Sequence, residues 1–337
     1  MSITLTVITG RWATPVSVYE NGIILFTTSP AISYNIGMPD TNASTITVFA
    51  GKGGVGKTTC AAAAALQSSI MGLKTLAIST DATPSLAHIF GMKPENKPAR
   101  VAESLLFSEL GAEEVKLMWD GKFGRDVYQV FSSFVDIGYP EFVDFIASIL
   151  PGLAEEFIVD YIRELKESSL YDAIIWDTAP IGQTLALLET PALVTQHLRL
   201  APRIYSRMKT GTGTKEPILD IIRRWEALSA TDMEFLRSGV DFNIVAIPEA
   251  LAVNQLDGIF TEMQRYGFKV RRLIINNVVK MADSAFLSEK MLQQKAYLET
   301  IHNKYSNLLI TELPMFSHEV QGLGRIKEVA EVLFNKR

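Results

Sequence analysis

Cysteine is almost absent from this sequence, because Cys60 is the single thiol among 337 residues. One thiol per chain excludes an intrachain disulfide framework and any metal site that needs several thiolates from one chain. We read Cys60 as a small buried residue of a helix. The sequence therefore predicts no zinc centre.

The sequence also lacks a surplus of basic charge and a long uninterrupted apolar segment. Its formal net charge is −5, and no cluster of lysine and arginine indicates a nucleic-acid surface. The apolar residues 1–9 follow no basic region, so they do not resemble a signal peptide. The uncharged stretch Asn21–Pro39 contains Asn, Pro and Gly residues that a membrane helix tolerates poorly. We expect a cytoplasmic protein with no nucleic-acid partner and no stable membrane insertion.

The most informative stretch that is present reads GKGGVGKTT, between an apolar segment and an alanine-rich one. It satisfies the pattern G-x-x-x-x-G-K-[ST] between a predicted strand, Thr45–Phe49, and a predicted helix, Thr58–Met71. In such a loop the backbone N–H groups surround phosphates, and the helix N-terminus favours the anion. The predicted phosphate-binding loop consists of Gly51, Lys52, Gly53, Gly54, Val55, Gly56, Lys57, Thr58 and Thr59.

Two side chains of this loop have roles that the pattern itself predicts. Lys57 would contact the outer phosphates, and the Thr58 hydroxyl would ligate Mg²⁺. Lys52 is a second lysine at a position where the general pattern allows any residue. The pattern thus indicates an enzyme that binds ATP with Mg²⁺.

Short apolar segments alternate with helical patterns through the rest of the chain, which predicts a mostly parallel, doubly wound α/β sheet of the P-loop NTPase type. Leu105–Leu110 is a weaker strand candidate. The other predicted strands are Thr75–Ser79, Ala173–Trp176, Asn243–Ile247, Arg272–Asn276 and Leu308–Glu312.

Three polar residues outside the loop also fall at the ends of predicted strands, where ligands bind in such sheets. Asp81 follows one strand, Asp177 another, and Asn276 a third. A lone aspartate after a strand more often caps a turn. With a phosphate-binding loop nearby, we assign Asp81 to the attacking water and place Mg²⁺ at Thr58, Asp81 and Asp177.

Two segments, 112–165 and 185–240, are predicted to be helical and to interrupt the sheet. We expect them to pair into a helical subdomain, whose apolar faces are more often packing surface than a groove for a client protein. The nucleotide-binding domain would then comprise 44–111, 166–184 and 241–337. Residues 1–43 form an extension in which Ile3–Ile8 and Ile23–Phe26 are predicted strands. That extension could add a hairpin to the sheet edge, pair across a dimer, or precede the true start.

Three blocks together carry a resemblance to a known family. They are Gly51–Thr59 with Lys52, Ser79–Asp81, and Asp177–Leu185, which reads DTAPIGQTL. The chain resembles the arsenite-pump and tail-anchored-protein-targeting ATPases, which belong to the deviant Walker A (SIMIBI) class of P-loop NTPases. The resemblance covers roughly residues 45–337 and continues through Leu150–Gly152, Ile247–Glu249, Ile275–Asn277, Leu313–Pro314 and Val320–Leu323.

The resemblance implies a homodimer in which Lys52 reaches the partner's nucleotide, so that hydrolysis depends on closing two subunits. Lys52 and Asp81 would then be catalytic, and Asp177 would belong to the second switch. Three further residues would lie near the nucleotide: Asn276 at the adenine edge, Pro314 against the base, and Glu249 across the interface.

The chain departs from the family pattern at three points. The first switch reads Asp81-Ala-Thr-Pro-Ser, where the family usually has Asp-Pro-Ala-His. Gln183 stands where relatives carry His in the second switch. No cysteine lies near Asp283–Met291, where the targeting factors have a zinc-binding Cys-x-x-Cys, and the arsenite-sensing cysteines are absent too.

We therefore expect ATP hydrolysis coupled to homodimer closure and to the binding or targeting of a hydrophobic client, as in a chaperone. One alternative is the ATPase subunit of an arsenite or oxyanion efflux system. Another is a spatial-organisation ATPase of the cell-division or partition type, which usually carries a C-terminal membrane helix. We predict that the amphipathic C-terminus, Gly324–Arg337, instead packs against the sheet as its last helix.

Overall fold

The computed structural model describes residues 45–80, 85–132, 136–143, 151–178 and 218–334, together with four two-residue strands before residue 18. The chain divides into two compact units, Met1–Thr41 and Asn42–Arg337.

The first unit contains two antiparallel strand pairs within residues 4–17. Strand β1 (Thr4–Leu5) pairs with β4 (Val16–Ser17), and β2 (Ile8–Thr9) pairs with β3 (Trp12–Ala13). Only two residues separate the paired Thr9 and Trp12, and such a short link carries a small entropic cost. Where the sequence predicted one strand over residues 3–8, the structure has β1 and β2, and the predicted strand at residues 23–26 lies outside the described part.

The second unit is built on one eight-stranded sheet, whose strand order is β12-β11-β10-β5-β9-β6-β8-β7. All neighbouring strands are parallel except β7, which runs antiparallel to β8. This confirms the predicted α/β class. The strands are β5 (Thr45–Gly51), β6 (Thr75–Ser79), β7 (Ala99–Ala102), β8 (Leu105–Glu109), β9 (Ala173–Asp177), β10 (Val240–Ala246), β11 (Lys269–Val278) and β12 (Leu309–Pro314).

Each strand predicted after residue 44 is present, and β7 is the strand that the sequence did not predict. It has four residues at the sheet edge and includes the exposed Arg100. Short, charged edge strands carry little of the apolar pattern that marks a buried strand, and they protect a sheet against pairing with other chains.

Helices cover both faces of the sheet, as expected for a doubly wound fold. The nine helices with complete described bounds are α1 (Lys57–Ile70), α2 (Leu86–Phe90), α3 (Ala112–Trp119), α4 (Arg125–Phe131), α5 (Pro151–Glu167), α6 (Ile218–Ser238), α7 (Ala250–Tyr266), α8 (Ala285–Lys304) and α9 (Gly322–Phe334). A π-helical turn, Asp120–Gly124, joins α3 to α4.

The central strand shows why both faces are covered, because its side chains enter two separate cores. In β5, Ile46 and Val48 pack in one core with residues of α3, α5, α6, α7 and α8. Phe49 faces the other way and packs with α1, α2 and α9. A strand buried on both faces carries apolar residues on both, and β5 does so from Val48 to Ala50.

Helix α1 lies close against the sheet because its buried face consists mainly of alanine. Cys60 and the following residues 61–65 are buried, and α9 packs against the same helix. Val329 and Leu333 of α9 are buried in that contact. This confirms that the C-terminal amphipathic helix packs within the fold.

The other face carries the helices of the two predicted insertions. Helix α5 contacts both α3 and α6. The structure joins residues 42–337 into one compact unit, so the division into a nucleotide-binding domain and a helical subdomain stays a prediction. Much of the second insertion, residues 185–217, lies outside the described part.

A charged cluster joins three elements of this helical layer. Arg163 of α5 donates to Asp160 at 2.5 Å and to Asp232 of α6 at 2.7 Å. Lys122 of the π-helical turn donates to Asp160 and, at 2.6 Å, to Glu164. Asp160 and Asp232 are fully buried. Burial raises the pKa of Asp232 to about 7, despite the favourable fields of Arg163 and Lys122.

This raised pKa predicts a pH-dependent stability that Asp232→Asn should remove. Between about pH 4 and pH 7 the folded state holds a proton that the unfolded chain releases, so the free energy of unfolding falls as the pH rises. As the pH is raised from 5 to 8, the free energy of unfolding of the variant should increase relative to that of the wild type, as measured by urea unfolding. Asp220→Asn, at an exposed position of the same helix, is the control. A constant difference between Asp232→Asn and wild type across that range would contradict the assignment.

Candidate functional site: a phosphate-binding loop at the carboxyl edge of the sheet

The parallel strands bring the predicted site residues to one edge of the sheet. Strand β5 lies between β9 and β10, and its carboxyl end leads directly into residues 51–56 and then α1. Phe49 pairs with Asp177 of β9, and Gly51 pairs with Val245 of β10. The loop therefore emerges between two supporting strands.

Two glycines of the loop stand where no side chain fits. A Cβ at Gly51 would lie 2.2 Å from the carbonyl oxygen of Val245. Gly56 has φ +97°, a left-handed conformation that disfavours L side chains, and its Cβ would lie 2.3 Å from Nδ2 of Asn276. These contacts give a physical reason for two of the glycines in the motif.

The two lysines of the loop have different surroundings. Lys57, at the start of α1, is 6% exposed, and its Nζ donates to the carbonyl oxygen of Lys52 at 3.3 Å. The side chain of Lys52 is partly exposed. Lys57 is thus held within its own loop, whereas Lys52 is only partly buried.

Thr58 lies next to the end of the first switch. Its Oγ1 is 3.3 Å from Oγ of Ser85. The predicted catalytic Asp81 belongs to residues 81–84, which lie outside the described part, so its role stays a prediction. Thr59 follows on α1, and Gly53 and Gly54 are exposed while Val55 is buried.

Asp177 is fully buried at the end of β9 and close to β6. Ser79 donates its hydroxyl to Oδ2 of Asp177 at 3.4 Å, and the Thr80 N–H donates to the Asp177 carbonyl at 3.2 Å. The Trp176 indole also donates to Oγ1 of Thr80 at 3.0 Å, which fixes the two strand ends together. A carboxylate and a hydroxyl at one sheet edge are the hard oxygen donors that suit Mg²⁺.

The three further residues that were expected near the nucleotide, Asn276, Pro314 and Glu249, differ in their surroundings. Asn276, at the end of β11, donates from Nδ2 to the Val55 carbonyl at 2.9 Å, so its amide contacts the phosphate-binding loop. Pro314 ends β12 and pairs with Val278. Glu249 is exposed directly before α7 and lines a cavity of about 420 Å³ beside α8. Their roles toward the nucleotide stay predictions.

Comparison with known proteins agrees with this loop and sheet. The sequence pattern of the family described as anion-transporting ATPase matches residues 44–335. The chain belongs to the anion-transporting ATPase family. It is therefore an ATPase. Among the described residues, no helix is long and apolar enough to cross a membrane.

Curated relatives of this anion-transporting ATPase family member span most of its length. A protein of Chlorobaculum tepidum, provisionally named an arsenical pump-driving ATPase, is 28% identical over 309 residues, covering 86% of this chain and 75% of its own. An ATPase GET3 of Chaetomium globosum is 26% identical over 311 residues, covering 84% and 88% respectively. An ATPase ASNA1 homolog of Dictyostelium discoideum is 28% identical over 299 residues, covering 84% and 87%.

One residue at the site of this ATPase was missed by the sequence analysis. Glu109, 6% exposed at the end of β8, accepts three backbone N–H groups in Oε1: those of Ser85 and Leu86 at 2.8 Å and of Ala87 at 3.2 Å. It fixes the end of the predicted first switch, Ser85, and the start of α2. The signal was an acidic residue at the end of a buried strand, the same pattern that identified Asp177.

The geometry at Gly56 predicts that Gly56→Ala lowers ATP affinity by tenfold or more. Both the left-handed φ and the contact with Asn276 oppose a methyl group there, so the loop must shift. Gly72→Ala is the matched control, because Gly72 has φ +86° at the other end of α1 and a Cβ there meets no atom within 4 Å. Titration with a fluorescent ATP analogue should separate them. Equal affinities for both variants would show that the Asn276 contact does not constrain the loop.

Proposed function

We propose that this ATPase hydrolyses ATP when two copies close face to face, and that closure is coupled to the binding of a hydrophobic client protein. The observation that carries the dimer proposal is the difference between the two lysines of the loop. Lys57 is buried and donates to the loop backbone, while Lys52 is partly exposed and would reach a nucleotide held by a second subunit.

The proposed chemistry is in-line attack of water on the γ-phosphate. Negative charge that develops on the transferred phosphoryl group needs positive charge and N–H donors around it. Lys57 and the loop N–H groups would supply them from one subunit, and Lys52 from the other. Hydrolysis then depends on assembly, because one charge is missing until the dimer closes.

The oxygen donors at the sheet edge fit the remaining tasks. Bound Mg²⁺ would neutralise charge on the phosphates; Thr58 would ligate it directly and Asp177 through a water molecule. Asp81 would orient the attacking water and belong to the same metal shell. Asn276, Pro314 and Glu249 are proposed to surround the base and the interface as the resemblance implies.

The client proposal rests on the resemblance to ATPases that target tail-anchored proteins, with the helical layer as support. Helices α3, α5 and α6 pack together on one face of the sheet, and Leu117 of α3 is 70% exposed there. Two such layers brought together by dimer closure would present a joint surface to an apolar helix. ATP would thereby control access to the client.

An oxyanion-efflux role is the second candidate, favoured by the family's description and by the name of the Chlorobaculum tepidum relative. It fits this chain less well because of the state of Cys60. That thiol is fully buried, and burial together with the negative charge of Asp177 raises its pKa to about 12. A protonated, enclosed thiol is a poor ligand for arsenite. Strong stimulation of ATP hydrolysis by arsenite or antimonite would favour this second candidate.

The dimer proposal predicts that Lys52→Ala abolishes an ATP-induced doubling of mass in light scattering. The same variant should lower kcat by about 100-fold or more, since a cation supplied in trans typically contributes at least that much. ATP affinity should change little, because Lys57 and the loop backbone remain. Lys97→Ala, at an exposed position before β7, is the control. A monomer of Lys52→Ala that hydrolyses ATP at the wild-type rate would overturn the trans role.

The client proposal predicts ATP-dependent binding of an apolar helical peptide of about 20 residues, the length that spans a bilayer. Asp81→Asn should bind ATP without hydrolysing it and therefore hold the client-binding state. Fluorescence anisotropy of the labelled peptide should rise with Asp81→Asn and ATP, and not with ADP. A peptide with two central lysines is the control. If an ATP-bound dimer binds neither peptide, the client role is wrong, while the ATPase assignment is unaffected.

A further inference from the structure

One buried side-chain amide of α8 makes hydrogen bonds through both its oxygen and its nitrogen to the turn that follows Asn276. Gln294 is 3% exposed. Its Oε1 accepts the Val279 N–H at 2.8 Å, and its Nε2 donates to the carbonyl oxygen of Asn277 at 3.0 Å. Of the 20 residues of α8, only Gln294 and Ile301 are buried. Gln294 is therefore one of the two buried side chains of this helix, and the one of the two that is polar.

The turn that Gln294 closes is a local irregularity of the sheet. Between the pairs Ile275–Glu312 and Val278–Pro314, β11 has one residue more than β12, which is a β-bulge. Asn277 lies in the bulge with φ +58°, a left-handed conformation that costs a non-glycine residue energy. Backbone groups released from the ladder at a bulge need other partners, and Gln294 supplies both the donor and the acceptor.

The bulge directs the preceding side chain, Asn276, onto the phosphate-binding loop. Nδ2 of Asn276 donates to the Val55 carbonyl at 2.9 Å, and it stands where a Cβ of Gly56 would be. With one N–H of Nδ2 engaged, Asn276 still offers a nucleotide base the acceptor Oδ1 and a second N–H. Such a pair matches the exocyclic amino group and ring nitrogen of adenine, whereas guanine presents two acceptors, O6 and N7, at the same edge.

We propose that Gln294 is a positioning residue for the nucleotide site, acting through the bulge at 277–279 and Asn276 on both the phosphate-binding loop and the choice of base. This rests on the proposed role of Asn276 at the adenine edge. A helix outside the nucleotide-binding motifs thereby controls ATP affinity and the preference for ATP over GTP.

Gln294→Met tests the proposal, because methionine has a similar length and neither amide group. We expect KM for ATP to rise about tenfold with kcat within about twofold, and the ratio of ATP to GTP affinity to fall. Gln293→Met is the matched control, one residue away on the exposed side of α8. Unchanged KM and base preference in Gln294→Met, with only a lower melting temperature, would overturn the proposal.

Gln294→Glu provides a second, independent test through the pH dependence of KM, should the first variant fold poorly. A carboxylate still accepts from Val279 but repels the Asn277 carbonyl, whereas the protonated acid donates to it. Burial raises the pKa of such a glutamate. The KM of this variant should therefore approach the wild-type value as the pH is lowered from 8 to 6. A KM ratio that does not change with pH would contradict the proposal.

Asn276→Ala, measured in parallel, separates failure of this proposal from failure of the site assignment. Loss of base preference in Asn276→Ala but not in Gln294→Met would reject the role of Gln294 alone. If Asn276→Ala also leaves KM and base preference unchanged, Asn276 does not read the base, and the proposal for Gln294 falls with it.

Discussion

The conformation of the phosphate-binding loop is the constraint on which the rest of this structure depends. Its N–H groups can turn inward only if the backbone passes close to neighbouring strands, and both contacts exclude a side chain. Gly51 lies against the Val245 carbonyl of β10, and Gly56 lies against Asn276 of β11. The loop is thus shaped by the two strands on one side of β5, and these two of its glycines are required by that packing as much as by the phosphates.

The same requirement explains the composition of α1. A helix that begins at the loop must lie close to the sheet so that its N-terminus points at the anion. Alanines at residues 61–65 allow this short distance, and α9 covers the outer side. Cys60 belongs to this small-residue face, and its enclosed thiol is explained by packing.

The sequence predicted the fold and the loop because both depend on local patterns. Short apolar runs rich in Ile, Leu or Val predicted the strands, and the nine-residue motif predicted the loop. The short edge strand β7 was missed because edge strands carry charge and little apolar pattern. The hairpin pairing within residues 4–17 was missed because pairing between short strands depends on register, which composition does not specify.

Contacts between distant side chains could not be predicted from the sequence. Asn276 was identified as a base-reading residue, yet its amide also holds the loop 221 positions away in the chain. Asp232 was not singled out, because its burial and its raised pKa arise only when α5 and α6 pack. Sequence spacing contains neither of these facts.

Two long side chains support the nucleotide site, and they do so on opposite sides of the central strand β5. Glu109, from β8, binds the chain after the first switch, and Gln294, from α8, binds the turn after Asn276. The carboxylate makes charge-assisted bonds to three N–H groups, which are stronger than those of a neutral amide. The amide, in contrast, can serve a donor and an acceptor at once, which a bulge requires. The two supporting groups therefore differ for a physical reason. At the start of α2 several N–H donors need one acceptor, which a carboxylate provides. At the bulge one N–H and one carbonyl have lost their partners in the sheet, and an amide can bond to both.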